Sequence, residues 1–92
     1  MSRQIRPGLL YRTNETVEEV FPKNGKKFTL EELQGFVGGY IEMIPYTRPV
    51  AYCNEEGRLK KLPFNTVASI QFDQILCGDV IQTMRPLERK KR

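Results

Sequence analysis

Histidine, the side chain that most often moves protons near neutral pH, does not occur in the 92-residue sequence. Catalysis by a Ser-His-Asp or Cys-His arrangement is therefore excluded. Two carboxylates can also act as general acid and base, and the candidates are the neighbours Glu55 and Glu56 and the pair Asp73 and Asp79. Adjacent strand residues point to opposite faces, and so short a chain offers poor walls for desolvating an acid. We therefore expect a protein that binds its target and is not an enzyme.

Two cysteines, Cys53 and Cys77, are the only thiols in the sequence. Zinc sites usually combine closely spaced cysteines with histidine, and the chain has neither a CxxC pair nor histidine. We therefore expect no metal and no cofactor. The two residues are predicted to be reduced, half-buried thiols, although a single disulfide is an alternative if their strands are neighbours.

Two segments carry side chains that could hold a ligand. Gly38-Gly39 would let a ligand approach the backbone, and the following Tyr40 could stack on a base; the alternative is a simple helix stop. The turn over residues 54–61 mixes both signs of charge, and its cations could meet an anionic group or simply be solvated. The candidate ligand-binding residues are Gly38, Gly39, Tyr40, Asn54, Glu55, Arg58, Lys60 and Asn65.

The formal net charge of +4 comes from the end of the chain. The first 84 residues hold ten basic and ten acidic residues, so their net charge is zero. We therefore predict one domain over residues 1–84 and a basic tail over 85–92. Clustered like charges at a terminus are usually solvated, but a phosphate-seeking arm is the alternative. That nucleic-acid alternative rests on Arg85, Arg89, Lys90, Lys91 and Arg92.

Two helices are predicted from their capping residues. Thr29 and Glu32 have the spacing of a capping box, and an apolar stripe follows, so a helix should cover 29–37 and end at Gly38. Gly35 inside this helix suggests tight packing against a neighbouring element. Asn65 can cap a shorter second helix over 65–72.

The remaining alternating segments predict strands, and together they indicate a small α+β domain. Strands are expected within residues 9–21 (as a hairpin), 40–46, 50–54, 58–63 and 75–84. They would form an antiparallel or mixed sheet that carries helix 29–37 on one face. Open sheet edges tend to pair with another chain, so we expect a homo-oligomer. No apolar run approaches the roughly 20 residues that span a bilayer, and no secretory signal is expected.

Three segments in order resemble a family of small domains of unknown function encoded by bacteriophages and plasmids. The segments are LQGFVGGYIE (33–42), NEEGRLKKLPFN (54–65) and GDV (78–80). They match the patterns LQxxVGGYIE, NEEGxLKxLPxN and GDV, and the resemblance covers about residues 12–82. It implies a phage or mobile-element protein in the cytoplasm of a bacterial host, but it implies no activity.

Small, non-catalytic phage proteins commonly act by stoichiometric binding. The leading hypothesis is a counter-defence module that sequesters a small nucleotide signal or a host defence protein, with pockets formed between subunits. The alternatives are a nucleic-acid-binding or regulatory protein that uses the basic tail and a protein–protein inhibitor that works through a sheet edge.

Overall fold

The computed structural model describes residues 7–83, which form five strands and two helices. Their bounds are β1 Gly8–Tyr11, β2 Val17–Val20, α1 Leu30–Val37, β3 Ile41–Ile44, β4 Ala51–Asn54, α2 Thr66–Phe72 and β5 Val80–Thr83. The predicted α+β class is confirmed.

All five strands of the described chain belong to one sheet in the order β2-β1-β5-β4-β3. Every neighbouring pair is antiparallel. The sheet therefore consists of two hairpins, β1-β2 and β3-β4, joined by β5 between them. β2 and β3 form its two edges.

Helix α1 begins with the predicted capping box. The Thr29 hydroxyl accepts a hydrogen bond from the Glu32 N–H at 3.1 Å, and the Glu32 carboxylate accepts one from the Thr29 N–H at 2.8 Å. Gly38 ends the helix in the left-handed region, at φ 78°. Leu33 and Val37 are buried against the sheet. The core on this face comprises Leu10, Leu33, Val37, Tyr52 and Ile81, with Val20, Phe28, Phe36, Ile41 and Val50 around it.

Helix α2 contributes to a second core, on the opposite face of the sheet. The strand residues of this core alternate with those that face α1, and successive strand residues point to opposite faces. The Asn65 side chain caps it by accepting from the Ala68 N–H at 3.0 Å. The core on this face comprises Tyr11, Ile44, Ala51, Ala68, Leu76 and Val80, with Leu9, Cys53, Val67 and Phe72 around it. The helix expected over 65–72 is therefore present, and the sheet lies between two helices.

The predicted strand over 58–63 is wrong. Residues 55–61 form consecutive turns instead. The Lys60 N–H donates to the Glu56 carbonyl at 2.8 Å, and the Leu62 N–H donates to the Gly57 carbonyl at 2.9 Å. The mixture of leucine and basic residues over 58–62 is compatible with both structures, and here the backbone forms hydrogen bonds within the turns.

The expectation that Gly35 marks tight packing is also wrong. A Cβ at Gly35 would have no heavy atom within 4 Å, outside its own helix backbone and chain neighbours. The glycine lies on the exposed side of α1.

The basic tail, residues 85–92, lies outside the described residues, so its predicted role stays a prediction. Neither α1 nor α2, the helices of residues 7–83, is long and apolar enough to cross a membrane.

Candidate functional site

A groove of about 210 Å³ lies beside the sheet edge formed by β3. Its walls come from the β3-β4 hairpin, the turn after β4 and the segment between α2 and β5. We call it the edge groove. It is lined by Glu42, Met43, Ile44, Pro45, Cys53, Asn54, Glu55, Gly57, Arg58, Leu59, Gln74, Ile75, Leu76 and Cys77.

The floor of the edge groove is apolar and its rim exposes large apolar side chains. Ile44 and Leu76 are buried among the lining residues. Leu59 and Ile75 are 79% and 66% exposed. Contiguous exposed apolar side chains beside a concave surface are typical of interaction sites. The groove therefore has the character of a surface that another molecule covers.

The backbone of β3 directs hydrogen-bonding groups away from the sheet. The Glu55 N–H donates to the Tyr40 carbonyl at 2.8 Å, so the backbone groups of Tyr40 point towards the β4 side. In an antiparallel strand the backbone groups of successive residues point alternately to one neighbour and to the other. Those of Glu42 and Ile44 therefore also point towards β4. Ile41 and Met43 consequently point their N–H and C=O groups outwards, where residues 7–83 supply no further strand.

The charged side chains of the edge groove are two carboxylates and one guanidinium. Glu42 lies opposite Cys53 in the strand pairing, and Glu55 is two residues further along the chain, directly after the end of β4. Glu42, Glu55 and Arg58 are all exposed. Within residues 7–83, none of the three forms an ion pair. The groove is therefore slightly acidic.

Both cysteines line the edge groove as free, half-buried thiols. Burial raises the pKa of Cys53 to about 11, and the charges of Glu42 and Cys77 add to the effect. A thiol with such a pKa is almost entirely protonated at neutral pH and is a poor nucleophile. Within residues 7–83, no three cysteine, aspartate or glutamate side chains are grouped so that they could hold a metal ion.

Three of the predicted ligand-binding residues, Asn54, Glu55 and Arg58, line the edge groove. The side chain of Asn54 is nevertheless used within the fold. Its Nδ2 donates to the Val37 carbonyl at 3.1 Å, and its Oδ1 accepts from the Glu56 N–H at 2.7 Å. Asn54 therefore ties the end of α1 to the turn after β4, and this leaves Glu55 and Arg58 to face a ligand.

The Gly38-Gly39-Tyr40 segment does not line the groove. A Cβ at Gly39 would lie 2.8 Å from Nδ2 of Asn54. The close approach expected at this glycine is thus made by a side chain of the same chain. Tyr40 follows with 69% of its surface exposed.

Lys60 and Asn65 also lie away from the groove lining. Lys60 forms an ion pair with Glu56 at 3.3 Å. Asn65 is fully buried, and its Nδ2 donates to the carbonyls of Tyr11 and Gly78, both at 2.9 Å. All the hydrogen-bonding atoms of its amide group have partners inside the fold, so Asn65 has no free group to offer a ligand.

Asp73 and Asp79, one of the two candidate acid pairs, both lie outside the lining of the edge groove. Asp79 accepts from the Thr13 N–H at 3.0 Å and lies beside Arg12 at 3.4 Å. Asp73 follows the last residue of α2 with a positive φ of 55°.

Sequence reasoning missed Glu42, Met43 and Ile75 as members of the site. Glu42 and Met43 lie on opposite faces of β3, because successive strand residues alternate. The sequence does not indicate that residues 74–77 lie beside β3, because their position depends on how α2 packs.

The comparisons with known proteins yield a family without an assigned activity. Neither the curated proteins nor the solved structures contain a match to the chain. The model of the family "Domain of unknown function (DUF3846)" matches residues 5–90. This range is wider than the expected 12–82 and includes most of the basic segment. The chain therefore belongs to the DUF3846 family, as a domain whose function the family name leaves open.

Proposed function

We propose that this protein is a non-enzymatic binding protein that captures an extended segment of a host protein on the outer side of β3 and in the edge groove. The observation that carries the proposal is the combination of outward-facing backbone groups on β3 with the exposed apolar rim beside them. Addition of a strand to an open edge is a common mode of peptide recognition, in which main-chain hydrogen bonds give affinity and neighbouring pockets give specificity.

The biological setting of the proposal comes from the resemblance to domains encoded by phages and plasmids. In an infected bacterium, a small protein that occupies a segment of a defence protein would block it stoichiometrically. A counter-defence module that sequesters a host protein is therefore the form of the proposal that we favour.

The charge of the edge groove gives less support to capture of a nucleotide. Phosphate groups are bound by clustered arginine, lysine and backbone N–H groups. The groove offers Arg58 together with two carboxylates, Glu42 and Glu55. Calorimetry against a panel of cyclic and adenosine-containing nucleotides tests this alternative, and micromolar binding would favour it over protein capture.

Selection from a random peptide library displayed on phage tests the proposal. Enriched peptides should bind the purified protein, and their amide shift changes in NMR spectra should map to β3 and the edge groove. A protein that enriches no peptide, or whose peptides map to β2 or α1, would contradict the proposal.

Two variants at one position separate strand addition from simple apolar contact. Met43→Pro removes an outward N–H without removing a hydrogen bond to β4, and proline is tolerated at such edge positions. Met43→Ala removes the side chain but keeps the N–H. We expect Met43→Pro to weaken peptide binding at least about ten-fold more than Met43→Ala, because a backbone hydrogen bond is lost. Circular dichroism and thermal unfolding establish that both variants are folded, and an N-methylated peptide provides the same test from the other partner.

A further inference from the structure

The charges on β3 indicate what kind of segment this edge accepts, provided that the proposed function holds. The first candidate for a partner is a second copy of the chain. Two β3 strands could pair antiparallel about a two-fold axis, with Ile41 of each copy bonded through its backbone to Met43 of the other. This register places the two Glu42 side chains directly opposite each other. Like charges in directly opposed positions destabilise a strand pair. Glu42 thus disfavours self-association along this edge, and a homo-oligomer through another surface stays a prediction.

Glu42 also has a second carboxylate nearby. Glu42 pairs with Cys53, and Glu55, two residues beyond Cys53, continues this pairing just after β4 by donating its N–H to the Tyr40 carbonyl. Diagonal neighbours of this kind lie about 7–8 Å apart on the same face of an antiparallel pair. Both side chains are exposed and line the edge groove. A cation placed on the outer side of β3 at the level of Glu42 would lie directly beside Glu42, and the charge of Glu55, on the inner side of β3, would add to the negative potential there.

We propose that β3 and the edge groove select an extended segment with lysine or arginine opposite Glu42 and apolar residues on either side of it. The cation points to the face of the sheet that carries the groove, where Glu42 lies opposite it and Glu55 adds a second negative charge. The apolar neighbours point to the other face of the sheet, where Ile41 is half-buried and Met43 is 58% exposed. The backbone of the segment bonds to the N–H and C=O groups of Ile41 and Met43.

Arginine suits this position well because its planar guanidinium can bond two carboxylate oxygens at once. The preference should be strongest at low salt, since exposed ion pairs are screened as ionic strength rises. Glu42 acts here as a binding residue that sets specificity.

Parallel library selections test the preference directly. The wild-type protein should enrich peptides with lysine or arginine at one position flanked by apolar residues. Selection on Glu42→Lys should replace that preference with aspartate or glutamate. Glu19→Lys is the matched control, because Glu19 lies on β2, the other edge of the sheet, and should leave the preference unchanged.

Affinities of one selected peptide complete the test. Changing its basic residue to glutamate should weaken binding to the wild type about ten-fold, and Glu42→Lys should restore it. Enrichment of peptides without a basic preference, with binding still sensitive to Met43→Pro, would overturn this inference and leave the proposed function standing. Enrichment of no peptide at all would overturn both.

Discussion

The two faces of the sheet are each packed by one short helix, yet one face is closed and the other is partly open. On the α1 face, Leu33 and Val37 are buried over β4 and β5, and the rings of Phe28 and Phe36 meet edge to face beside them at 5.8 Å. On the α2 face, Ala68 is the helix residue that is fully buried. The edge groove lies on this second face, next to the strand that α2 leaves exposed.

The difference shows how a small domain can combine stability with a binding surface. Both sides supply large apolar side chains, and on the α2 side the rings of Tyr11 and Phe72 meet edge to face at 5.4 Å. The α2 side is in addition anchored by the hydrogen bonds of the buried Asn65 amide. The exposed apolar rim of the groove is the part of the surface that α2 leaves uncovered.

The largest effect is expected on the α2 face, from Asn65→Ala. The change removes the cap of α2 and leaves the buried carbonyls of Tyr11 and Gly78 without their donor, so the free energy of unfolding should fall by about 3 kcal/mol. Urea denaturation measures this. Asn14→Ala is the control, because Asn14 makes its hydrogen bonds in an exposed turn, and it should cost well under half as much. Equal effects of the two changes would contradict the anchoring role of Asn65.

Substitution of two glycines by alanine should change the stability of the α1 face in opposite directions. Gly39→Ala places a Cβ 2.8 Å from the Asn54 amide, which has to move, so the free energy of unfolding should fall by about 2 kcal/mol. Gly35→Ala meets open space and removes a flexible residue from a helix, so it should raise that free energy by about 0.5–1 kcal/mol. Opposite signs in denaturant melts support the placement of both residues. A neutral Gly39→Ala would show that Asn54 does not hold α1 in place.

The cap of α1 should show a moderate and pH-dependent effect. Thr29→Ala should lower the free energy of unfolding by about 1 kcal/mol, because the Glu32 N–H loses its acceptor.

Glu32 itself supplies the pH dependence. Hydrogen bonds from the backbone N–H groups of Thr29 and Lys23 hold the pKa of Glu32 below its ordinary value of 4.5. Its folded-state pKa is thus below the unfolded one, so its contribution is present above pH 4.5 and disappears as the pH falls through the lower, folded value. Glu32→Gln should therefore make stability less sensitive to acid than in the wild type. An unchanged acid profile in urea melts would contradict this assignment.

The smallest effect is expected from two tyrosine hydroxyls, one on each face. Within residues 7–83, the Tyr52 hydroxyl is buried on the α1 face without a hydrogen-bond partner. Tyr52→Phe should therefore leave stability unchanged or raise it by up to about 1 kcal/mol. The Tyr11 hydroxyl, on the α2 face, donates to Gln82 at 3.4 Å, and Tyr11→Phe should cost a few tenths of a kcal/mol. Thermal unfolding of the two variants compares them, and a clear loss in Tyr52→Phe would reveal a partner for that hydroxyl.

The helices and the first hairpin could be predicted because their signals are local. Thr29 and Glu32 satisfy each other within one helical turn, and Asn65 caps α2 from the adjacent position in sequence. The strand over 58–63 was wrong because its alternation does not distinguish a strand from a run of turns. Only the hydrogen bonds within residues 56–62 make that distinction.

The candidate site was predicted in part, and the reason lies in sequence separation. Polarity marked Asn54 and Asn65 as ligand contacts, but their amides bind carbonyls 17 and 54 residues away. Nothing local indicates that such partners exist. Glu55 and Arg58 remain in the edge groove because the turn that carries them is exposed, and Glu42 joins them only through the pairing of β3 with β4.

The position of β5 has a consequence for how the nascent chain folds on the ribosome. β5 is the last strand within residues 7–83, yet it lies at the centre of the sheet and is the strand that links the two hairpins. Until residues 80–83 have left the exit tunnel, the emerging polypeptide lacks the strand that joins these hairpins, and the apolar sides of α1 and α2 are incompletely covered. The core of this domain is therefore completed only after β5 emerges, and a ribosome stalled before β5 would present a species that chaperones should recognise.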